Sequence, residues 1–101
     1  MKPKGKDKLL ATIKKIINKL TLKAERGLFD YGDDVESYKL IYAIANVWSI
    51  EEETKRSEDI ERLLDKAWTL YFFFKQNIDG KKTNYVNIVN KYSMYERINS
   101  N

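Results

Sequence analysis

No proline follows Pro3 in this chain, and its 101 residues include only four glycines. Proline and glycine are the residues that most often interrupt helices and form the turns of strand-rich folds. A chain of this length suffices for one domain with a single modest core. The sequence therefore predicts one all-α domain over residues 1–101, built from long uninterrupted helices.

Apolar residues recur at intervals of three and four in four successive segments, which is typical of amphipathic helices. The first segment runs from Leu9 to Ala24, and we expect Gly27 to end this helix. The basic residues 1–7 that precede it are expected to form a flexible tail. The predicted buried side chains of the first helix are Leu9, Leu10, Ile13, Ile16, Ile17, Leu20 and Ala24.

The second helix is predicted to begin at Asp33 or Asp34, because an Asp side chain can accept hydrogen bonds from the first free backbone N–H groups. Glu36 lies three residues after Asp33, which resembles a capping box. Residues 51–56 either extend this helix or form an exposed linker. Its predicted buried stripe contains Val35, Tyr38, Ile41, Tyr42, Ala45 and Trp48, widened by Leu40, Ile44 and Val47.

The third helix is predicted to follow Ser57, a favourable N-cap residue. Residues 67–74 are apolar on almost every side, so they are either enclosed by other helices or expose an aromatic patch. We expect enclosure, with Trp68, Phe72 and Phe73 as the patch in the alternative case. The predicted buried stripe contains Ile60, Leu63, Leu64, Ala67, Tyr71 and Phe74.

The last helix is predicted after the Asp79-Gly80 turn, with Thr83 or Asn84 as its cap. A tyrosine-rich face of this helix reaches Ile98, and residues 99–101 are expected to fray. Together the four segments predict a small antiparallel four-helix bundle. A three-helix core with a loosely docked last segment is the alternative.

The chain contains neither cysteine nor histidine, which excludes zinc fingers, thiol redox sites and catalysis that depends on histidine. The paired carboxylates at 33–34 and 51–53 lack the ordered ligand spacing of a metal site. Residues 79–83 resemble part of a phosphate-binding loop but lack its glycine spacing. We therefore predict a protein that is not an enzyme and uses no cofactor.

Charge is segregated along the chain: residues 1–26 have a net charge of +7, residues 27–65 of −7 and residues 66–101 of +4. Such segregation favours attraction between neighbouring helices or a surface for a charged partner. Lysines of the first helix can neutralise the phosphates of lipid headgroups or of nucleic acids. The candidate contacts with a membrane surface or phosphate are Lys14, Lys15, Lys19 and Lys23.

The longest uncharged run, residues 40–50, has 11 residues, whereas a helix that crosses a membrane needs about 20. The basic start of the chain lacks the uncharged core and cleavage site of a signal peptide. We therefore expect a cytoplasmic protein, with peripheral contact at the inner face of the membrane as a further expectation. It is expected to be a monomer or a weak dimer.

Residues 57–64, followed by Tyr71-Phe72, resemble the third helix of the immunity proteins that protect bacteria against pediocin-like (class IIa) bacteriocins, the enterocin A type. That helix has an apolar-x-Arg-Leu pattern followed by an aromatic pair. The order of helices over residues 9–95 is also similar to this family. Residues 31–33, before the second helix, resemble a segment found in some members.

The resemblance implies a cytosolic four-helix bundle that gives self-protection. Such proteins are thought to bind the complex of the bacteriocin and its receptor, the mannose phosphotransferase permease. The alternative function is that of a small phage- or plasmid-type helical protein that binds nucleic acid or a host protein through its basic helix. The candidate partner contacts lie in the last third of the chain: Lys81, Lys82, Tyr85, Tyr92, Tyr95 and Arg97.

Overall fold

A computed structural model describes residues 4–50 and 58–96 of the chain, and the side chains of residues 8–48 and 58–96. Every regular element within these residues is an α-helix, so the predicted small four-helix bundle is confirmed. The proposed Ser57 cap, the extension at 51–56 and the frayed end at 99–101 lie outside the described residues. The helices are α1 (Lys4–Glu25), α2 (Asp33–Ile50), α3 (Glu58–Ile78) and α4 (Tyr85–Tyr92).

Helix α1 begins earlier than predicted. Residues 4–7, which the sequence assigns to a basic tail before the first helix, belong to α1. Lysine is a good helix former, and the single Gly5 destabilises the helix too little to stop one that continues for 22 residues. Farther along, α1 buries the predicted side chains Ile13, Ile17, Leu20 and Ala24.

Helix α1 ends at a glycine, as predicted. Gly27 adopts a left-handed backbone conformation, with φ +74°. The N–H of Gly27 donates to the carbonyl of Ala24 at 2.9 Å, and the N–H of Leu28 donates to that of Lys23 at 3.0 Å. This is the Schellman arrangement, which glycine permits because it has no Cβ. Gly80, with φ +90°, closes α3 in the same way.

The connection from α1 to α2 is held by Lys23. Its Nζ lies 2.8 Å from Oδ2 of Asp30 and 2.8 Å from Oδ2 of Asp33, and these hydrogen bonds raise the pKa of Lys23. Asp33 is the first residue of α2, but its carboxylate accepts from the N–H of Asp30 at 2.8 Å. The N–H of Glu36 donates to the carbonyl of Gly32 instead. The predicted capping box is therefore wrong.

Helix α2 buries only one side of its broad predicted stripe. Leu40, Ile41, Ile44 and Val47 are buried and Trp48 is half-buried, whereas four members of the predicted stripe are exposed. Both faces of α2 are apolar enough to pack, so periodicity alone selects neither. The aliphatic side chains occupy the core, while tyrosine hydroxyl groups remain in contact with water. The exposed members of the predicted stripe are Val35, Tyr38, Tyr42 and Ala45.

Helix α3 contributes the most deeply buried part of the core and packs most extensively against α2. Its residues Ala67, Leu70, Phe73 and Phe74 have no exposed surface. The Phe73 and Phe74 rings meet edge to face, with their centroids 5.2 Å apart. The core therefore centres on a short stretch in the second half of α3, against which α1 and α4 also pack.

The buried face of α3 differs in part from the predicted stripe. Tyr71, predicted to be buried, is half-buried, whereas Leu70 and Phe73 are completely buried. Trp68 is 39% exposed, and Phe72 is half-buried. Enclosure is thus correct for Phe73 and wrong for Trp68, because one bundle of this size cannot surround α3 on every side.

Helix α4 is shorter than its apolar pattern predicts. It begins after Asn84, whose side-chain oxygen accepts from the N–H of Asn87 at 2.8 Å, so the predicted Asn84 cap is confirmed. The helix ends at Tyr92, and Ser93 turns to an extended conformation. Tyr95 therefore lies beyond the helix, and α4 runs antiparallel to α3 because Ser93 returns to the first half of α3.

Candidate functional site

Asp65 ties the chain beyond α4 to α3. Its Oδ2 accepts from the Ser93 hydroxyl at 2.6 Å, and its Oδ1 accepts from the N–H of Met94 at 2.8 Å. The Ser93 hydroxyl oxygen in turn accepts from the N–H of Glu96 at 2.8 Å. Ser93 is buried, so its charge-assisted bond to Asp65 is partly shielded from water, and the three bonds together hold residues 93–96 against α3.

Further contacts fasten residues 93–96 to the first half of α3. The Tyr95 hydroxyl donates to Glu61 at 2.6 Å, which raises the pKa of Tyr95. The Arg62 guanidinium lies over the Tyr95 ring, 4.8 Å from its centroid. Lys66 and Glu96 form an ion pair at 3.0 Å. Residues 93–96 therefore pack along the first half of α3.

An exposed cleft of about 360 Å³ lies between this segment, α3 and the end of α2. Its walls are mostly apolar, and Glu61 and Asp65 are the acidic residues of its lining. Met94 is 80% exposed beside it. Exposed apolar concavities of this kind are typical of sites that bind a ligand or another protein. We call it the α3 cleft, lined by Trp48, Glu61, Leu64, Asp65, Trp68, Met94 and Tyr95.

A continuous row of aromatic rings extends from the α3 cleft across the bundle surface. Trp68 stacks on Phe72 with centroids 5.7 Å apart, and Phe72 stacks on Tyr92 at 4.3 Å. Trp68 also meets Tyr71 edge to face, and Tyr71 continues the row to Tyr38 on α2. Aromatic residues are enriched among those that dominate protein–protein binding energy. The row makes this side of α3 the candidate interaction surface.

The structure separates the predicted contacts of the last third. Lys81 and Lys82 are exposed in the loop before α4, where Lys82 has a left-handed backbone with φ +36°. Asn77 fixes this loop by donating to the carbonyl of Thr83 at 3.0 Å and accepting from its N–H at 3.2 Å. The loop lies at the opposite end of α3 from Asp65, roughly 20 Å away at the rise of a helix.

The predicted tyrosines also differ in environment. Tyr95 lines the α3 cleft, and half-buried Tyr92 accepts a hydrogen bond from Gln76 at 3.3 Å. Tyr85 is only 7% exposed, so its prediction as a partner contact is wrong: its ring packs edge to face on Phe73 in the core. Arg97 lies outside the described residues.

Three of the four predicted membrane or phosphate contacts point to solvent. Lys14, Lys15 and Lys19 are exposed on α1. Lys23 is half-buried and bound to two carboxylates, Asp30 and Asp33, and its prediction as a membrane or phosphate contact stays a prediction. Lys14 and Arg62 both line a cleft of about 300 Å³ between α1 and α3. Lys15 and Lys19 lie on the side of α1 opposite its buried residues and form a basic face, and Lys14 lies on the flank of the helix.

Comparisons with protein-family models, curated proteins and solved structures find no match to this chain. Within residues 4–50 and 58–96, no three carboxylates gather in a way that holds a metal ion. No helix in the same part of the chain combines the length and apolar character that a membrane crossing requires. The candidate site therefore depends on the geometry of the α3 cleft.

Sequence reasoning missed Asp65 and Met94 as site residues. Asp65 pairs with Ser93, which lies 28 positions away, and no local pattern signals such a pair. The apolar spacing from Tyr85 onward suggests that the last helix continues past Met94. One signal was present: Asp65 is a carboxylate placed between the apolar residues 64 and 67 of an amphipathic helix.

Asp65→Ala should loosen residues 93–96. The Ser93 hydroxyl and the N–H of Met94 lose their charged acceptor, so we expect the free energy of unfolding to fall by about 1–3 kcal/mol. Urea unfolding followed by circular dichroism measures this loss. The matched control is Asp59→Ala, which removes an exposed carboxylate from the same helix and is expected to change stability by about 0.5 kcal/mol or less. Equal losses in both variants would show that Asp65 anchors nothing.

The Tyr85 hydroxyl is a buried polar group without a hydrogen-bond partner in the described part of the chain. The neighbouring Thr21 hydroxyl gives its proton to the carbonyl of Ile17 at 2.7 Å. Burial, and then the nearby carboxylates of Glu96 and Glu25, raise the pKa of Tyr85 above its usual value of 10.0. The hydroxyl therefore stays protonated in the folded protein, and the Thr21 side chain, which acts in the opposite direction on this pKa, interacts with it only weakly.

Tyr85→Phe is expected to raise the free energy of unfolding by about 1 kcal/mol, because it removes a buried group that makes no hydrogen bond. The gain should grow as the pH rises above about 10, where the unfolded wild-type chain releases this proton and the folded chain does not. Urea unfolding at pH 7 and at pH 10.5 measures both effects. A variant that is less stable than the wild type at pH 7 would mean that the hydroxyl is bonded.

Proposed function

We propose that this chain is a bacteriocin immunity protein, which protects its cell against a pediocin-like bacteriocin. It acts from the cytoplasm by binding the complex of the bacteriocin and the mannose permease receptor. The observation that carries this proposal is the α3 cleft. The residues that carry the family resemblance form α3, from Glu58 onward, and the exposed apolar cleft lies on that same helix.

The walls of the α3 cleft suit a protein partner. Trp68 and Met94 present exposed apolar surface beside a concavity large enough for one bulky side chain. Such a pocket suits an anchor residue, the kind that contributes most of the binding energy in protein interfaces. The carboxylates of Glu61 and Asp65 in its lining favour a partner that carries a cation next to its apolar anchor.

The basic face of α1 supports action close to a membrane. Lys14, Lys15 and Lys19 are exposed, and each lysine near an anionic membrane surface contributes about 1 kcal/mol of attraction. These lysines attract the bundle to the inner leaflet, where it meets a membrane-embedded receptor. In this proposal the protein is not an enzyme and needs no cofactor, because protection comes from binding alone.

Expression of the chain in a bacterium that is sensitive to pediocin-like bacteriocins tests this function. Killing by a panel of class IIa peptides is expected to fall for at least one peptide. Met94→Glu places a charge at the mouth of the α3 cleft, and we expect it to abolish most of the protection. The measurement is the minimum inhibitory concentration of each peptide against cells that carry the wild type, the variant or an empty vector.

Val86→Glu is the matched control, because Val86 is 55% exposed on α4 and lies outside both the α3 cleft and the basic face of α1. It introduces the same charge and should leave protection unchanged, and circular dichroism of both variants should show the wild-type helix content. Undiminished killing by every peptide contradicts immunity. Equal loss of protection in the two variants contradicts the assignment to the α3 cleft.

A further inference from the structure

The outer face of α3 is not covered by another helix in the part of the chain that the structure describes. Trp68 at its centre is exposed, and exposed side chains flank it: Tyr38 and Tyr42 of α2 on one side and Met94 on the other. An exposed aromatic area of this extent on a small protein is typical of an interface. We call it the α3 outer face, formed by Glu61, Leu64, Asp65, Trp68, Tyr71, Phe72 and Lys75.

Opposite charges lie at equal distances on either side of Trp68. Glu61 precedes Trp68 by seven residues, and Lys75 follows it by seven. Seven residues make almost two turns of a helix, so the three side chains lie on the same side of α3. Each charged residue is about 10 Å from Trp68 along the helix axis. The α3 outer face therefore has an acidic end, an aromatic centre and a basic end.

Both charged groups can bind a further partner. Glu61 accepts a hydrogen bond from the Tyr95 hydroxyl through Oε1, and a carboxylate can accept several more. Lys75 pairs with Asp79 at 3.3 Å, but the two side chains are almost half exposed, so this pair is weak. The ammonium group of Lys75 has three N–H donors and can bind a second carboxylate while it keeps the first.

This symmetry fits a second copy of the same chain. When two α3 helices lie antiparallel across a twofold axis at Trp68, Glu61 of each copy faces Lys75 of the other. In the same register Phe72 of one copy faces Leu64 of the other, so apolar side chains meet between the charged pairs. A parallel arrangement would bring like charges together at both ends, which is unfavourable. The helix dipoles also favour the antiparallel arrangement.

A surface that is its own complement is the property of a twofold interface, in which the same patch is used on both subunits. A different protein would not require equal spacing of the two charges about one residue. The charge pattern of the α3 outer face therefore favours a second copy of the chain as its occupant.

We propose that two copies of this chain form an antiparallel dimer through the α3 outer face. The two Trp68 rings meet at the twofold axis, and the exposed side chains that flank the face contact the second copy. Phe72 of each copy lies beside Leu64 in the α3 cleft of the other, so the dimer covers that cleft and the monomer leaves it open. Dimerisation is a property of the chain alone and does not depend on the proposed function.

Sedimentation velocity of the full chain at pH 7, without bacteriocin or receptor, measures the dimer. The interface is small, so we expect a weak dimer whose share rises between about 1 and 500 μM protein, because association increases with concentration. Sodium chloride at about 1 M screens the pairs between Glu61 and Lys75. It should weaken the dimer without abolishing it, since the aromatic centre remains.

Charge reversal locates the interface. Glu61→Lys alone and Lys75→Glu alone each place like charges together at both ends, so each should weaken dimerisation about tenfold or more. An equimolar mixture of the two variants restores both opposite-charge pairs, because each variant supplies the charge that the other lacks. We expect this mixture to form a heterodimer about as readily as the wild type forms its dimer. Mixing cannot repair structural damage within either variant.

Lys15→Glu is the matched control, because it reverses an exposed lysine on α1, outside the α3 outer face, and should leave dimerisation unchanged. Circular dichroism should show the wild-type helix content in all three variants. A wild-type chain that stays monomeric over the whole concentration range overturns the proposal and leaves this face to a different protein. The proposal is also overturned if the single reversals leave the dimer unchanged, if Lys15→Glu weakens it equally, or if the mixture stays monomeric.

Discussion

Burial of one face of α3 is the constraint on which the rest of the structure depends. Leu70, Phe73 and Phe74 have no exposed surface, and each fully buried side chain of this size contributes about 1.5–3 kcal/mol. Once these three side chains face the core, the helical repeat directs Trp68 and Phe72 outward. The exposed aromatic row and the α3 cleft are therefore consequences of how the core is filled.

Asp65 forms the α3 cleft by holding residues 93–96 against α3. It lies on the flank of α3 between the core face and solvent, where its carboxylate reaches both Ser93 and the N–H of Met94. These bonds are made by the residues directly after Tyr92, where α4 ends, and they hold those residues against α3. A polar pair 28 positions apart thus creates the apolar cleft on which the proposed function rests.

Local signals in the sequence predict most of the fold, while the sites depend on contacts between distant residues. Gly27 and Asn84 end and begin helices as predicted, because left-handed turns and caps are determined by a few adjacent residues. The predicted buried stripe of α2 was too broad, because Tyr38 and Leu40 are both apolar enough to pack and only Leu40 is buried. Tyr85 was placed on the surface because nothing local shows that α1 and α3 enclose it.

Amide hydrogen exchange of the wild-type chain, read by NMR, tests the central role of α3 most directly. Backbone N–H groups of Leu70, Phe73 and Phe74 should be the slowest to exchange, with a free energy of opening equal to that of global unfolding in urea. Those of Ile13 and Ile17 in α1 should exchange through smaller openings. Slower exchange in α1 than in α3, or local opening of α3 below the global value, would contradict the account.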